Sequence, residues 1–212
     1  MPVWRPEVDL GEEAQVDFGY LGLWLDTVRQ RSVRVYAFTM ILSYNRHLFA
    51  RLVMHLTQET WQDATCAVSP SSATCRGASP DTLKPGVLKP DLYDPALNRA
   101  YAELAAHYGF LIAPAPAGRP KDKPPVERAI PYVWESFWQG QVFVHLESAN
   151  RDLERWCLEV AGQRVHGTTR HRPFEVSSAE EHPRLLPLPA MHALEFGDPR
   201  YRTVKNILER GS

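Results

Sequence analysis

Three acidic residues stand in distinct local settings: Asp17 in GEEAQVDFG, Asp81 in PDTLKPGV and Glu127 in KDKPPVERA. The first falls in a run that reads as a strand, the second at the end of another, and the third on a helix. Carboxylates drawn from separate elements of one fold can assemble a metal-binding cluster, and such clusters serve enzymes that cut phosphodiesters. Taken singly, each acid has a plainer reading, since Asp after a strand commonly forms a turn and Glu on a helix is commonly solvated. It is the three together that point to chemistry. Lys84, Lys89, Arg119, Lys121, Lys123 and Arg128 surround two of the acids along the chain. Cations there can neutralise phosphates, although a solvated charged surface accounts for them equally well.

Positioning these acids falls to a series of elements. QVDFGYLGLWLD, SVRVYAFTMILSY and HLFARLVMHL are rich in β-branched, aromatic and aliphatic residues with short polar breaks, which predicts an antiparallel three-stranded meander. Thr57 is placed to cap a helix through QETWQDA. Asp94 and Pro95 form a cap and first-turn proline ahead of ALNRAYAELAAHYG, with Leu97, Tyr101, Leu104, Ala105 and Tyr108 at helical spacing and Gly109 as the stop. FLIAPAPA reads as a short buried strand. The helix holding Glu127 has an apolar face of Val126, Ile130, Val133 and Phe137, and Pro131 must either kink it or mark a later start. Ser148 is expected to cap a further helix whose buried face includes Leu153, Trp156, Cys157 and Val160; HGTTRHRPFEV and the tail beyond read as loop-rich, with short helices at best. The order of elements predicts an α/β fold, a mixed five-stranded sheet with helices on both faces, which is the layout of an RNase H-like core. The expected division is a lead-in at 1–10, the core at 11–145 and a C-terminal helical extension at 146–212.

A chain of 212 residues is long enough for one substantial core. Net charge is −1, so only local patches can favour a nucleic acid. The longest apolar stretches, such as YAFTMILSY at 36–44, are too short to span a bilayer, and no charged segment precedes an apolar one at the start; the expected location is the cytoplasm. Cys66, Cys75 and Cys157 have neither disulfide nor zinc-ligand spacing. Trp134, Trp138 and Trp156 sit at helical spacing among apolar residues, a pattern that favours core over base stacking.

In several stretches the chain resembles the catalytic part of IstA-type transposases, within the wider class of DDE integrases and transposases. The stretches are GEEAQVDFG, AFTMILSYNR, DPALNRAYAELAAHYGF, KDKPPVERA and QRVHGTTRHRPFE, in the family's order. The resemblance implies that Asp17, Asp81 and Glu127 form a triad holding two Mg2+ or Mn2+ ions. These are hard cations that prefer oxygen ligands, and in such sites they lie roughly 3.5–4 Å apart. It implies strand nicking by water, then joining of the freed 3′-hydroxyl to target DNA, with no covalent enzyme intermediate. The implied partners are DNA at element ends and target, further copies of the chain, and an AAA+ ATPase helper, with no membrane. Lys84, Lys121, Lys123, Arg128, Arg164 and His166 are the DNA-binding candidates. For His166, in the HGTT stretch, bracing of the acidic helix is an equal alternative to DNA contact.

Residues 64–79, ATCAVSPSSATCRGAS, depart from the pattern, with almost no large apolar side chain where a helix and strand are expected. Back-translated with G/C-rich codons and read in a neighbouring frame, they give His-Val-Arg-Gly-Phe-Ala-Phe-Phe-Gly-Asp-Val-Pro-Arg-Arg-Leu, which continues the family pattern. The expectation is a pair of compensating frameshifts, and a nucleotide sequence lacking that alternative-frame match would sink it. Thr82 replaces an expected Asn, and Pro124 and Pro125 replace a more flexible approach to Glu127. The chain reads as a truncated fragment, for which a catalytically inactive remnant that at most binds DNA, or an RNase H-like nuclease, are the alternative readings.

Overall fold

A computed structural model describes residues 8–26, 30–56, 60, 64, 73–74, 77–80, 111–112 and 128–187. The expected meander is present as β1 (Glu13–Asp26), β2 (Arg31–Leu42) and β3 (Leu48–Val53). β2 pairs antiparallel with β1, placing Asp17 opposite Thr39 and Gly19 opposite Ala37, and with β3 on its other side. It is therefore covered on both faces: Val35, Ala37 and Ile41 enter one apolar cluster, and Tyr36, Phe38, Met40 and Leu42 enter another. This is why its sequence is a continuous apolar run rather than an alternating one. A bulge interrupts the β1–β2 register between Tyr20 and Gly22, and Gly22 takes φ +131°, a conformation that favours glycine.

Shorter strands extend this body. β4 (Ala73–Thr74) pairs with β7 (Leu186–Pro187) in a separate two-stranded ladder, while β5 (Gly77–Pro80) lies parallel to β1 and β6 (Leu111–Ile112) parallel to β5. The main sheet has the order β3-β2-β1-β5-β6. The helices expected after Thr57 and over 94–109, with Gly109 as its stop, lie outside the described residues, except that Thr60 and Ala64 are helical.

α1 (Ala129–Val133) carries Pro131, and Val126 and Glu127, expected on the same helix, lie outside the described residues. Pro131 lies in the first turn, where backbone N–H groups have no intrahelical acceptor, so its missing donor costs nothing. The helix runs on through Trp134–Trp138 with a widened last turn, Gln139 N–H donating to the Trp134 carbonyl at 2.8 Å.

α2 (Leu146–Trp156) begins ahead of the expected cap. His145, extended at φ −134° and ψ 145°, occupies the N-cap, and the Ser148 hydroxyl instead donates back to the His145 carbonyl at 2.8 Å. The earlier start lets Leu146 pack against the core. At its other end the helix widens through Cys157–Ala161, with Gly162 N–H donating to Cys157 O at 2.8 Å. The wide turn shifts the buried stripe by one position, so Ala161 is buried and Val160, expected inside, is 49% exposed. α3 (Pro173–Val176) continues helically to Arg184, more regular than the expected loop. Pro173 at its first position is pre-set for a helical start.

α1 and α2 share one face of the sheet. Ala129, Val133, Phe137, Ala149, Leu153, Trp156, Cys157 and Ala161 join Leu21, Val35, Ala37, Ile41, Ala50 and Leu52 in a single cluster, so residues on both sides of the expected 145/146 division share it. Asn150 fixes α2 to the edge strand as a backbone surrogate: its Oδ1 accepts from Leu52 N–H at 2.7 Å and its Nδ2 donates to Leu52 O at 3.1 Å. Such pairing satisfies an edge that would otherwise be open to another strand. The opposite cluster takes in Ala14, Val16, Val53, Ala64 and Leu185.

Candidate active site around Asp17

Asp17 occupies the middle of β1, half-buried, on the sheet face that α1 covers, as its pairing with Thr39 and that of Gly19 with Ala37 require. Its Oδ1 accepts from Phe18 N–H at 2.8 Å, and its carbonyl accepts from the Thr39 hydroxyl at 3.3 Å. On the β5 side, Val16 pairs with Pro80. Each of those residues immediately precedes an expected metal ligand, Asp17 and Asp81 respectively.

The third approach comes from α1. Arg128, which follows Glu127 directly, is the exposed N-cap residue, and two positions further Ile130 lies against Gly19. Further along, Trp134 Nε1 donates to Leu21 O at 3.1 Å and Trp24 Nε1 donates to Phe143 O at 2.7 Å, fastening this segment along β1. Trp134 thus spends its indole N–H on the sheet, Trp138 stacks on Phe143 and Trp156 is buried beside Tyr132 and Phe137. Of the predicted site residues, Asp17, Arg128, Arg164 and His166 are described, whereas Asp81, Glu127, Lys84, Lys121 and Lys123 lie outside the described residues. Among the described residues no three His, Cys, Asp or Glu form a metal-sized cluster. The donor set expected from the sequence is all carboxylate oxygen, which suits Mg2+ or Mn2+.

Arg164 and His166 have separate tasks in the fold. The Arg164 guanidinium carbon lies 3.9 Å from the centre of the Tyr132 ring on α1, a cation–π contact that ties the end of the α2 segment to the helix following Glu127. His166 Nδ1 accepts from the N–H groups of Thr168 and Thr169 at 3.3 and 3.4 Å, closing its own turn. Cys157 is buried, and burial pushes its thiol up to about 12, which removes it as a nucleophile at neutral pH.

A buried polar group that the sequence did not single out lies at the start of β1. Glu181, fully buried, accepts from Gly11 N–H at 3.1 Å, and Asn45 Oδ1 accepts from His47 N–H at 2.6 Å. Burial raises the Glu181 carboxyl above its ordinary range, and burial pushes the His47 imidazole down to about 4. Nothing in the local sequence distinguishes these residues from solvated ones, because their burial depends on α3 being laid over the β2–β3 turn.

A pH dependence follows from His47. Its folded pKa is depressed, so the native state binds the proton less well than the unfolded chain. The stability it contributes is present above pH 6.5 and is lost as pH falls towards 4, by about 3 kcal/mol at one pKa unit per 1.36 kcal/mol. The raised Glu181 acts oppositely, its contribution being present at low pH and lost as pH rises through its folded pKa. Comparison with a variant separates the histidine from Glu181: in urea unfolding at pH 7 and pH 4.5, His47→Gln will lose less stability on acidification than wild type, and equal losses would show that His47 is not the titrating group.

No protein-family model matches the chain. It is 43% identical over 194 residues, 87% of its length, to a Mycobacterium tuberculosis protein named "Putative transposase Rv3428c", of which the match covers 46%. It is 25% identical over 183 residues, 83% of its length, to a transposase for an IS21-like insertion sequence element of Bacteroides fragilis, covering 34% of that protein. A further match, 33% identical over 110 residues, is the transposase for insertion sequence element IS21 of Pseudomonas aeruginosa, with 51% of this chain and 28% of the relative covered. Among solved structures, the catalytic core domain of BIV integrase superposes with a TM-score of 0.54 at 15% identity, over 82% of this chain and 98% of that one. A chain of a simian T-cell lymphotropic virus intasome superposes with a TM-score of 0.55 at 11% identity, over 89% and 61%. At such identities the likeness is one of fold: the chain has the mixed α/β fold of integrase catalytic cores. It spans about half the length, or less, of these curated relatives.

Proposed function

From a chain homologous to insertion-sequence transposases of the IS21 type, we propose that this protein carries the DNA strand-cleaving and strand-joining centre of such a transposase, with Asp17, Asp81 and Glu127 as its metal ligands in an RNase H-like core. One observation carries the reading. Val16, which precedes Asp17, pairs with Pro80, which precedes Asp81, and Ile130, three residues after Glu127, rests on Gly19, so segments leading to or from the three acids approach a short length of β1. A chance distribution of acids has no reason to do so.

Mg2+ or Mn2+ held by the three carboxylates would supply charge stabilisation at the scissile phosphate and a more acidic water. The chain's own residues bind and orient. Lys84, Lys121, Lys123 and Arg128 would neutralise backbone phosphates, and Arg164 holds α1 through Tyr132. In nicking, an oxygen–phosphorus bond forms from water and the phosphorus–O3′ bond breaks, leaving a 3′-hydroxyl. In joining, that hydroxyl attacks a target phosphorus and the target's O3′ leaves. DNA and further copies of the chain are the proposed partners; an AAA+ helper rests on resemblance alone. No described helix is long and apolar enough to cross a membrane.

The test is nicking of supercoiled and linear duplex DNA by the purified chain with Mg2+ or Mn2+, against the same reaction in EDTA. Metal-dependent nicking is the expected result. A folded chain that binds DNA and cuts neither substrate with either metal would leave the non-catalytic reading, which the atypical residues 64–79 favour.

A further inference from the structure

We infer that Gly19 is a positioning residue: the notch left by its missing side chain receives Ile130 and sets how closely the helix following Glu127 approaches Asp17. The inference rests on the proposed metal site and adds a determinant of its geometry. Gly19 lies two residues from Asp17 on the same sheet face. A Cβ built on it would run into Ile130 Cγ2 and stand 2.7 Å from Cγ1 and 2.8 Å from Cβ. Carbon atoms pack at about 3.5–4.0 Å, so one methyl group cannot be accommodated without movement of the helix or of Ile130.

Three features make the helix the part that yields. Gly19 does not have the positive φ of Gly22, so alanine suits its backbone, and the three atoms nearest its Cβ all belong to Ile130. Ile130 is β-branched and on a helix, where its χ1 has essentially one good rotamer, so it cannot swing aside cheaply. The far end of the same helical segment is pinned, Trp134 to Leu21 and, beyond it, Phe143 to Trp24. Relief must therefore come at the N-terminal end of α1, which is the end adjoining Glu127 in sequence. A movement of an ångström or so there is enough to spoil a shared ligand set, because oxygen–metal distances are held to a few tenths of an ångström.

The experiment measures Mn2+ binding by electron paramagnetic resonance, with thermal unfolding in the absence of metal, for wild type, Asp17→Asn, Gly19→Ala, Ile130→Ala and Gly19→Ala/Ile130→Ala. Gly19→Ala is expected to weaken Mn2+ binding at least tenfold and to lower the unfolding midpoint. In the Ile130→Ala background the same change should cost much less of both, because the two γ-carbons it strikes are gone. If Gly19→Ala does not fold, the comparison of Ile130→Ala with the double variant carries the test, with near-equal Mn2+ affinities expected. Wild-type affinity in folded Gly19→Ala, or equal losses in the two backgrounds, overturns the inference and leaves the metal site standing. Absence of Mn2+ binding by wild type, or its retention in Asp17→Asn, overturns the proposed site and this inference with it.

Discussion

Asp17→Asn is expected to reduce metal-dependent strand cleavage by ~10³-fold or more, about 4 kcal/mol of barrier. Asparagine keeps the shape of aspartate and an oxygen to accept from Phe18 N–H, the contact seen at 2.8 Å. The pairing of Asp17 with Thr39 is a backbone register that a side-chain amide does not disturb. What is lost is the charge that would hold a divalent cation in the proposed site. Folding and DNA binding should therefore survive while cleavage, and the rise in unfolding midpoint on adding Mg2+ or Mn2+, should not. Gel-shift, cleavage and thermal-unfolding measurements on the same preparation separate these effects. Undiminished cleavage would remove Asp17 from the site.

Ending the chain after His145 is expected to abolish cooperative unfolding. The deleted part supplies Leu153, fully buried, and Trp156, 9% exposed, at about 1.5–3 kcal/mol or more each, together with Ala149, Cys157 and Ala161 to the cluster that covers one face of the sheet. It also removes Asn150, leaving the N–H and C=O of Leu52 to water and the β3 edge open. Against a total stability of about 5–15 kcal/mol for a typical domain, these losses are decisive. Near-UV circular dichroism during heating is the measurement. A sharp native-like transition in the shortened chain would mean that α2 is an appendage and that the sheet is stable without it.

Much of this protein is written locally. The meander follows from three apolar runs with polar breaks, and Asp17 can be placed on its strand by alternation alone. The cluster resemblance that singles out Asp17, Asp81 and Glu127 needs only residue types and their order. Where local signals compete, they mislead: Ser148 is a good cap residue, but α2 starts earlier, with Leu146 packed partly buried against the core. Val160 has the right spacing for the core until the wide turn at Cys157–Ala161 rotates it out.

Sequence by itself determined the three-stranded meander, the candidate acids and the kinship, because periodicity, turn chemistry and residue identity are properties of neighbouring positions. Tertiary structure alone decided that Val16 meets Pro80, that Ile130 fills the notch at Gly19, that Arg164 caps Tyr132, and that Glu181 and His47 are buried. Those are contacts between segments far apart in the chain. Their register is set by the competition of whole faces for burial, to which no single stretch of sequence holds the answer.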